Sequence, residues 1–158
     1  MAELLKIGDL LQMAVEDEQT GLTFYNELKK AARSPLVRQA AERFAEQEKV
    51  HLKVFSDMVK AAPADTPRED YAGEYMAYVR ALLDGKLFPP EGEAAKLARE
   101  AKSDRDAIEV ALQFERNTLL FFGEIRNFVA RKDQETVEKV MDEERQHLVD
   151  LAALRHKV

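Results

Sequence analysis

Four long stretches of this chain repeat apolar side chains every three or four residues, and each stripe carries an acidic residue near its middle. Leu11, Ala14, Leu22, Tyr25 and Leu28 form the first stripe, with Glu18 on it, and predict a helix from about Ile7 to Ala32. Ser34 followed by Pro35 reads as an N-cap with proline at the first helical position. It opens a second helix to about Ala61, whose face carries Val37, Ala40, Phe44, Glu48, His51, Phe55 and Met58. The stretch Pro63 to Pro67 breaks that helix, and residues 63–103 make a connection far longer than an ordinary interhelical loop, predicted to hold short helices near 71–84 and 92–101. Ser103 with Asp106 three residues on resembles a capping box with Asp in place of Glu. The third long helix that it starts faces inward with Ile108, Ala111, Glu115, Leu119, Phe122, Ile125 and Val129. Asp133 is predicted to cap the fourth, with Val137, Val140, Glu144, His147, Leu151 and Leu154 inward.

The two halves match beyond their periodicity. Setting Glu18 on Glu115 pairs Leu22 with Leu119, Phe24 with Phe121, Tyr25 with Phe122 and Leu28 with Ile125. Setting Glu48 on Glu144 pairs His51 with His147 and Leu52 with Leu148. An internal duplication is the simplest account, and it predicts a pseudo-two-fold axis. The long connection lets the third helix restart at the other end of the bundle, parallel to the second. The expected fold is therefore all-α: a four-helix bundle with a long crossover between two duplicated hairpins.

Composition agrees and narrows the function. At 158 residues and 46% hydrophobic content the chain suits one domain, residues 1–158, and 6 glycines with 5 prolines suit helices better than many turns. The net charge of −6 is dispersed with no basic block, which argues against nucleic acid or an anionic membrane as partner. The opening residues lack a signal-peptide pattern and no run approaches ~18 apolar residues, so a cytoplasmic location is expected. Cysteine is absent, which excludes thiol catalysis and thiolate metal sites. Serine occurs only at 34, 56 and 103, two of them at predicted caps, which disfavours nucleophilic serine chemistry.

What remains is a repeated polar pattern. Glu18 is followed by Glu48-x-x-His51, and Glu115 by Glu144-x-x-His147, at intervals of 30 and 29 residues between the glutamates. At ~1.5 Å per residue the legs before and after each turn are about equal, so each hairpin returns its glutamates to one height. The three-residue spacing places Glu and His on one helix face. Four carboxylates meeting in an apolar interior would repel one another and lose hydration worth several kcal/mol each. Two divalent ions neutralise four ionised glutamates, with the histidines bound as neutral imidazoles, and the nitrogen and oxygen donors suit iron or manganese, with zinc a further substitute.

These residues resemble the ferritin-like di-iron carboxylate superfamily, most closely its rubrerythrin-type branch, here without a rubredoxin domain. The resemblance covers all four long helices: Glu18 with Tyr25 seven residues later, Glu48-x-x-His51, Glu115 and Glu144-x-x-His147. It implies two iron ions, one held terminally by Glu18 and His51, the other by Glu115 and His147, with Glu48 and Glu144 bridging. Two departures stand out. Peroxide-reducing members usually carry a four-cysteine iron site, and this sequence has none. They also have a further carboxylate one turn beyond the third-helix ligand, where this chain has Thr118.

The resulting expectation is an oxidoreductase that reduces peroxide or dioxygen, supplied by a separate electron donor and assembled as a homodimer or higher homo-oligomer. Iron capture with ferroxidase activity is the alternative from the binding class, and a metal-free structural bundle is the third. Tyr25 is expected within reach of a ligand carboxylate, to orient it or supply an electron, or else simply to pack. Phe24, Phe44 and Phe121 are expected in the core, and His156 in solvent at the C-terminus.

Overall fold

The computed structural model of the protein describes residues 6–63, 73–84 and 89–158. Among them run α1 (Ile7–Ala31), α2 (Pro35–Ala61), α3 (Gly73–Asp84), α4 (Glu91–Glu100), α5 (Asp104–Phe128) and α6 (Arg131–Arg155). The four long helices α1, α2, α5 and α6 form the bundle expected from the stripes. The crossover carries the two short helices, while the expected breaker residues after Pro63 and the expected helical positions 71 and 72 lie outside the described residues.

Local chemistry explains most boundaries. Ser103 Oγ accepts from the Asp106 amide at 3.1 Å, so Ser103 caps α5 as expected, but the Asp106 carboxylate accepts from the Ser103 hydroxyl at 2.9 Å and not from its backbone amide, so only half of the expected capping box forms. Ser34 occupies the N-cap of α2 with Pro35 behind it, but its side chain makes no capping bond. Asp133 does not cap α6, contrary to the sequence expectation. The helix begins two residues earlier, with Ala130 at the N-cap, and Asp133 sits in the first turn. There a carboxylate still interacts favourably with the positive end of the helix dipole, which is why an acidic residue suits the position without being the cap.

The hairpins are tied to each other by Asp104, the first residue of α5. Its carboxylate accepts from the backbone amides of Arg33, at 2.9 and 3.1 Å, and Ser34, at 2.6 Å. The start of α5 therefore sits beside the start of α2, which makes these helices parallel, as the long crossover implied. At the same end Arg43 of α2 meets Asp150 of α6 at 2.7 Å. Replacing Asp104 with alanine leaves the Arg33 and Ser34 amides without their acceptor and is expected to cost about 1.5–3 kcal/mol, by the usual worth of hydrogen bonds to a charged group. Urea unfolding of Asp104→Ala checks this.

Among the described residues, packing divides into two apolar clusters. One gathers Phe24, Leu28, Val37, Phe44, Ile108, Leu112 and Leu151, and α4 joins it through Ala94 and Ala98. The other gathers Leu10, Ala14, Phe55, Phe121, Phe122, Ile125, Val137 and Val140. Along each long helix the break between clusters falls at the same place: between Ala14 and Phe24, Phe44 and Phe55, Leu112 and Phe121, Met141 and Leu151. The polar layer occupies that gap.

Candidate metal centre

Each long helix delivers its acidic residue to the gap, and α2 and α6 add a histidine one turn on. Glu18, Glu48, His51, Glu115, Glu144 and His147 are all buried, none more than 4% exposed. Ligand-capable atoms of Glu18, Glu48, His51 and Glu144 lie within 4.8 Å of one another, and so do those of Glu48, Glu115, Glu144 and His147. The two groups share Glu48 and Glu144. All six sequence-derived candidates are thus brought together.

The histidines face inward through Nδ1. His51 Nδ1 lies 2.7 Å from Glu144 Oε1, and His147 Nδ1 lies 2.9 Å from Glu144 Oε2. Glu18 stands 3.6 Å from His51 Nδ1, and Glu115 stands 3.4 Å from His147 Nδ1. These approaches are short, yet both Nδ1 atoms and all four oxygens of Glu18 and Glu144 lack an aligned hydrogen-bond partner. Buried polar atoms are almost always satisfied. Six that converge without satisfying each other have the geometry of donors aimed at a common third party, and a pair of divalent cations fits the charge and type of this set.

Two neighbours fix the imidazoles, and the sequence reading missed both. His51 Nε2 lies 2.9 Å from the Glu143 carboxylate, and His147 Nε2 lies 3.1 Å from Gln47 Oε1. An acceptor at Nε2 keeps the proton there and leaves the Nδ1 lone pair free toward the site. Gln47 and Glu143 each precede the glutamate of a Glu-x-x-His motif, and each serves the histidine of the other motif. The matched positions were visible in the duplication, but their reach across the bundle was not.

Tyr25 donates to Glu115 Oε1 in a buried bond. It therefore orients the glutamate of α5, across the bundle, rather than Glu18 on its own helix. Burial and the nearby Glu115 carboxylate push the tyrosine hydroxyl well above its usual range. Phe24, Phe44 and Phe121 are core residues, as expected, and His156 is exposed at the end of α6.

Titration of the cluster follows from its crowding. Burial raises Glu18 and Glu48 well above the ordinary carboxylate range, and burial together with the Glu144 charge raises Glu115 to about 7. Burial opposes charge on Glu144 too, but His147 and His51 on its two oxygens hold it well below that range. Burial likewise works against protonated histidine. Carboxylate contacts outweigh it, led by Glu144 for His51 and Glu115 for His147, raising them to about 9 and about 10. Without metal, charge is favoured on Glu144 and on the two imidazoles that face it, while burial disfavours it on Glu18, Glu48 and Glu115.

Gly21 makes room for one member. A Cβ built there would lie 2.9 Å from Glu48 Oε2 and 3.2 Å from Glu48 Cδ. In the metal-free protein the Glu48 side chain can swing aside, and Gly21→Ala is expected to stabilise by roughly 0.5–1 kcal/mol from helix propensity. Glu48 belongs to both four-residue groups and would be less free to move with metal bound, so metal affinity is expected to fall about 10–100-fold. Calorimetric melting and metal titration of this variant should therefore move in opposite directions.

The comparisons with known proteins agree with this geometry. No curated protein sequence matches the chain. A crystal structure from Thermotoga maritima, described as a ferritin-like diiron-carboxylate protein, superposes with a TM-score of 0.75 at 22% identity, covering 99% of this chain and 98% of that one. That likeness establishes a ferritin-like fold. The rubrerythrin sequence profile matches residues 9–155, spanning every long helix and all six convergent residues. On the extent of that match, the chain belongs to the rubrerythrin family.

Proposed function

We propose that the protein is a di-iron carboxylate oxidoreductase that reduces peroxide or dioxygen. The observation that carries this reading is the pair of four-residue groups sharing Glu48 and Glu144. Glu18 with His51 would hold one iron and Glu115 with His147 the other, while Glu48 and Glu144 would bridge. Iron held there in the ferrous state would supply the two electrons that, with two protons, reduction of hydrogen peroxide to two waters requires.

The chain's own residues set the conditions for that chemistry. Glu143 and Gln47 hold each imidazole with Nδ1 toward the site. Tyr25 fixes the Glu115 carboxylate by donating its hydroxyl proton to Oε1. The apolar clusters on either side keep bulk water out, which strengthens each charge interaction within the layer. Recovery of the reduced centre calls for an electron donor from outside this sequence, which holds no cysteine for a second iron site.

Thr118 supports a second reading, because it stands where the peroxide-reducing pattern has a further carboxylate. A ferroxidase that oxidises iron for capture would need only the six convergent residues. Anaerobic Fe(II) loading followed by separate challenges with hydrogen peroxide and dioxygen distinguishes the two. Much faster oxidation by peroxide, with iron remaining at two per chain, is the expected result. Ready oxidation by dioxygen with iron accumulating beyond two per chain would replace it with the capture reading.

A further inference from the structure

Asp17 is buried, 6% exposed, yet it is not among the convergent residues. Its carboxylate accepts from the Thr118 hydroxyl at 2.8 Å, and among the described residues no cationic side chain pairs with it. Burying a carboxylate without a counter-charge is costly, so its position calls for a reason. The duplication offers none, since the matching residue in the second half is Phe114.

Two cavities meet at Asp17. An outer one of about 670 Å³ lies between α1 and the approach to α4, with Gln12, Glu16, Gln19, Leu83 and Glu91 in its wall. An inner one of about 20 Å³, close to the size of a single water, is lined by Gly21, Tyr25, Glu48, Glu115, Thr118 and Glu144. Asp17, Thr20 and Pro89 belong to both. At the inner end Glu144 is 1% exposed and neither of its oxygens has a hydrogen-bond partner.

The outer wall is acidic. It carries Glu16, Asp17 and Glu91, and no lysine, arginine or histidine among its described lining residues. Glu91 is held in place by the Thr23 hydroxyl at 2.7 Å, which also anchors the start of α4 to α1. A cleft with low-dielectric walls and one sign of charge concentrates ions of the opposite sign. Neutral peroxide or dioxygen would gain nothing from three carboxylates.

We propose that this pair of cavities is the route by which a divalent cation reaches the centre, with Asp17 as the transfer point between the outer and inner cavities. The proposal rests on the metal-centre reading above and adds the path to it. Glu16 and Glu91 gather the hydrated ion at the mouth. The Asp17 carboxylate, positioned by Thr118, replaces lost water as the ion passes Thr20 and Pro89 toward Glu144. Gly21 keeps the inner cavity open.

The test is stopped-flow uptake of Co(II) by the metal-free full chain, read from cobalt absorption at low and high salt. Asp17→Asn keeps an acceptor for Thr118 and removes the charge. It is expected to slow uptake about tenfold or more while final cobalt content and spectrum stay those of the wild type. Glu16→Gln with Glu91→Gln, both at exposed positions, should slow uptake less and flatten its salt dependence. Asp133→Asn, at a separate cavity beside Ile7 and Val129, should leave the rate unchanged. Equal rates for wild type and Asp17→Asn would overturn the route. Loss of bound cobalt in Asp17→Asn would also overturn it, by placing Asp17 within the site itself. If the wild type takes up no cobalt, the metal-centre reading fails and the route with it.

Discussion

Anaerobic loading of the metal-free protein with Fe(II) is expected to raise its melting temperature by roughly 15–30 °C near pH 7. An ion held at a thousand times its dissociation constant contributes about 4 kcal/mol to stability, so two contribute about 8, and a chain of this size gains roughly 2–4 °C per kcal/mol. The gain should also grow with pH, because the metal-free and loaded proteins respond to pH in opposite ways. His51 and His147 are raised in the folded metal-free chain to about 9 and about 10, so their stabilisation is complete below the usual histidine range and is lost as pH climbs through those values. Glu18, Glu48 and Glu115 are raised by burial, so they oppose folding increasingly as pH rises above the carboxylate range. Glu144, held low by the histidines, works the other way and loses its contribution only in acid. The metal-free protein should therefore melt lower at about pH 8.5 than at about pH 5.5. In the loaded protein the ligands are deprotonated, and acid favours the protonated unfolded chain, so melting should rise over the same interval. Scanning calorimetry at both pH values, with and without Fe(II), checks the sign of each slope.

The second large effect separates Glu144 from Glu18. Glu144 presents one oxygen to each histidine, whereas Glu18 belongs to only one of the two groups. Glu144→Ala is expected to abolish binding of both ions, and Glu18→Ala to leave one. Their effects on the metal-free protein should differ as well. Losing Glu144 removes the carboxylate that faces both buried histidines, and breaking a buried ion pair from one side costs about 3–5 kcal/mol. Glu18 is disfavoured as a charge by burial and by the neighbouring carboxylates, so Glu18→Ala should leave the metal-free protein no less stable. Equilibrium metal titration and urea unfolding of the two variants test both halves of this contrast.

The long helices and their convergent glutamates and histidines were legible in the chain because each stripe has to serve two purposes at once. A glutamate inside an apolar stripe contradicts burial unless something compensates it, and four such contradictions at matched spacing point to one place. Helix ends were legible wherever the residue itself makes the cap, as Ser103 does. They were misread where it does not, as at Asp133, because an acidic residue suits both the cap and the first turn. Contacts across the bundle were hidden. Asp104 reads locally as a helix-start acid, yet its partners Arg33 and Ser34 lie about 70 residues away. Gln47 and Glu143 lie beside the motif glutamates, and only the packing of α2 and α6 sets them against the opposite histidines. Asp17 lies one residue from Glu18, where a helical stripe should already have turned toward solvent. It is nevertheless buried, with Thr118 facing it from α5.

The most direct test of the central claim, that this layer holds two metal ions, is anomalous diffraction at the iron edge from crystals of the Fe(II)-loaded protein. The account predicts two peaks between Glu48 and Glu144, one beside His51 Nδ1 and Glu18, the other beside His147 Nδ1 and Glu115. A layer without anomalous density, or a single peak on the Nε2 side of either ring, would contradict it.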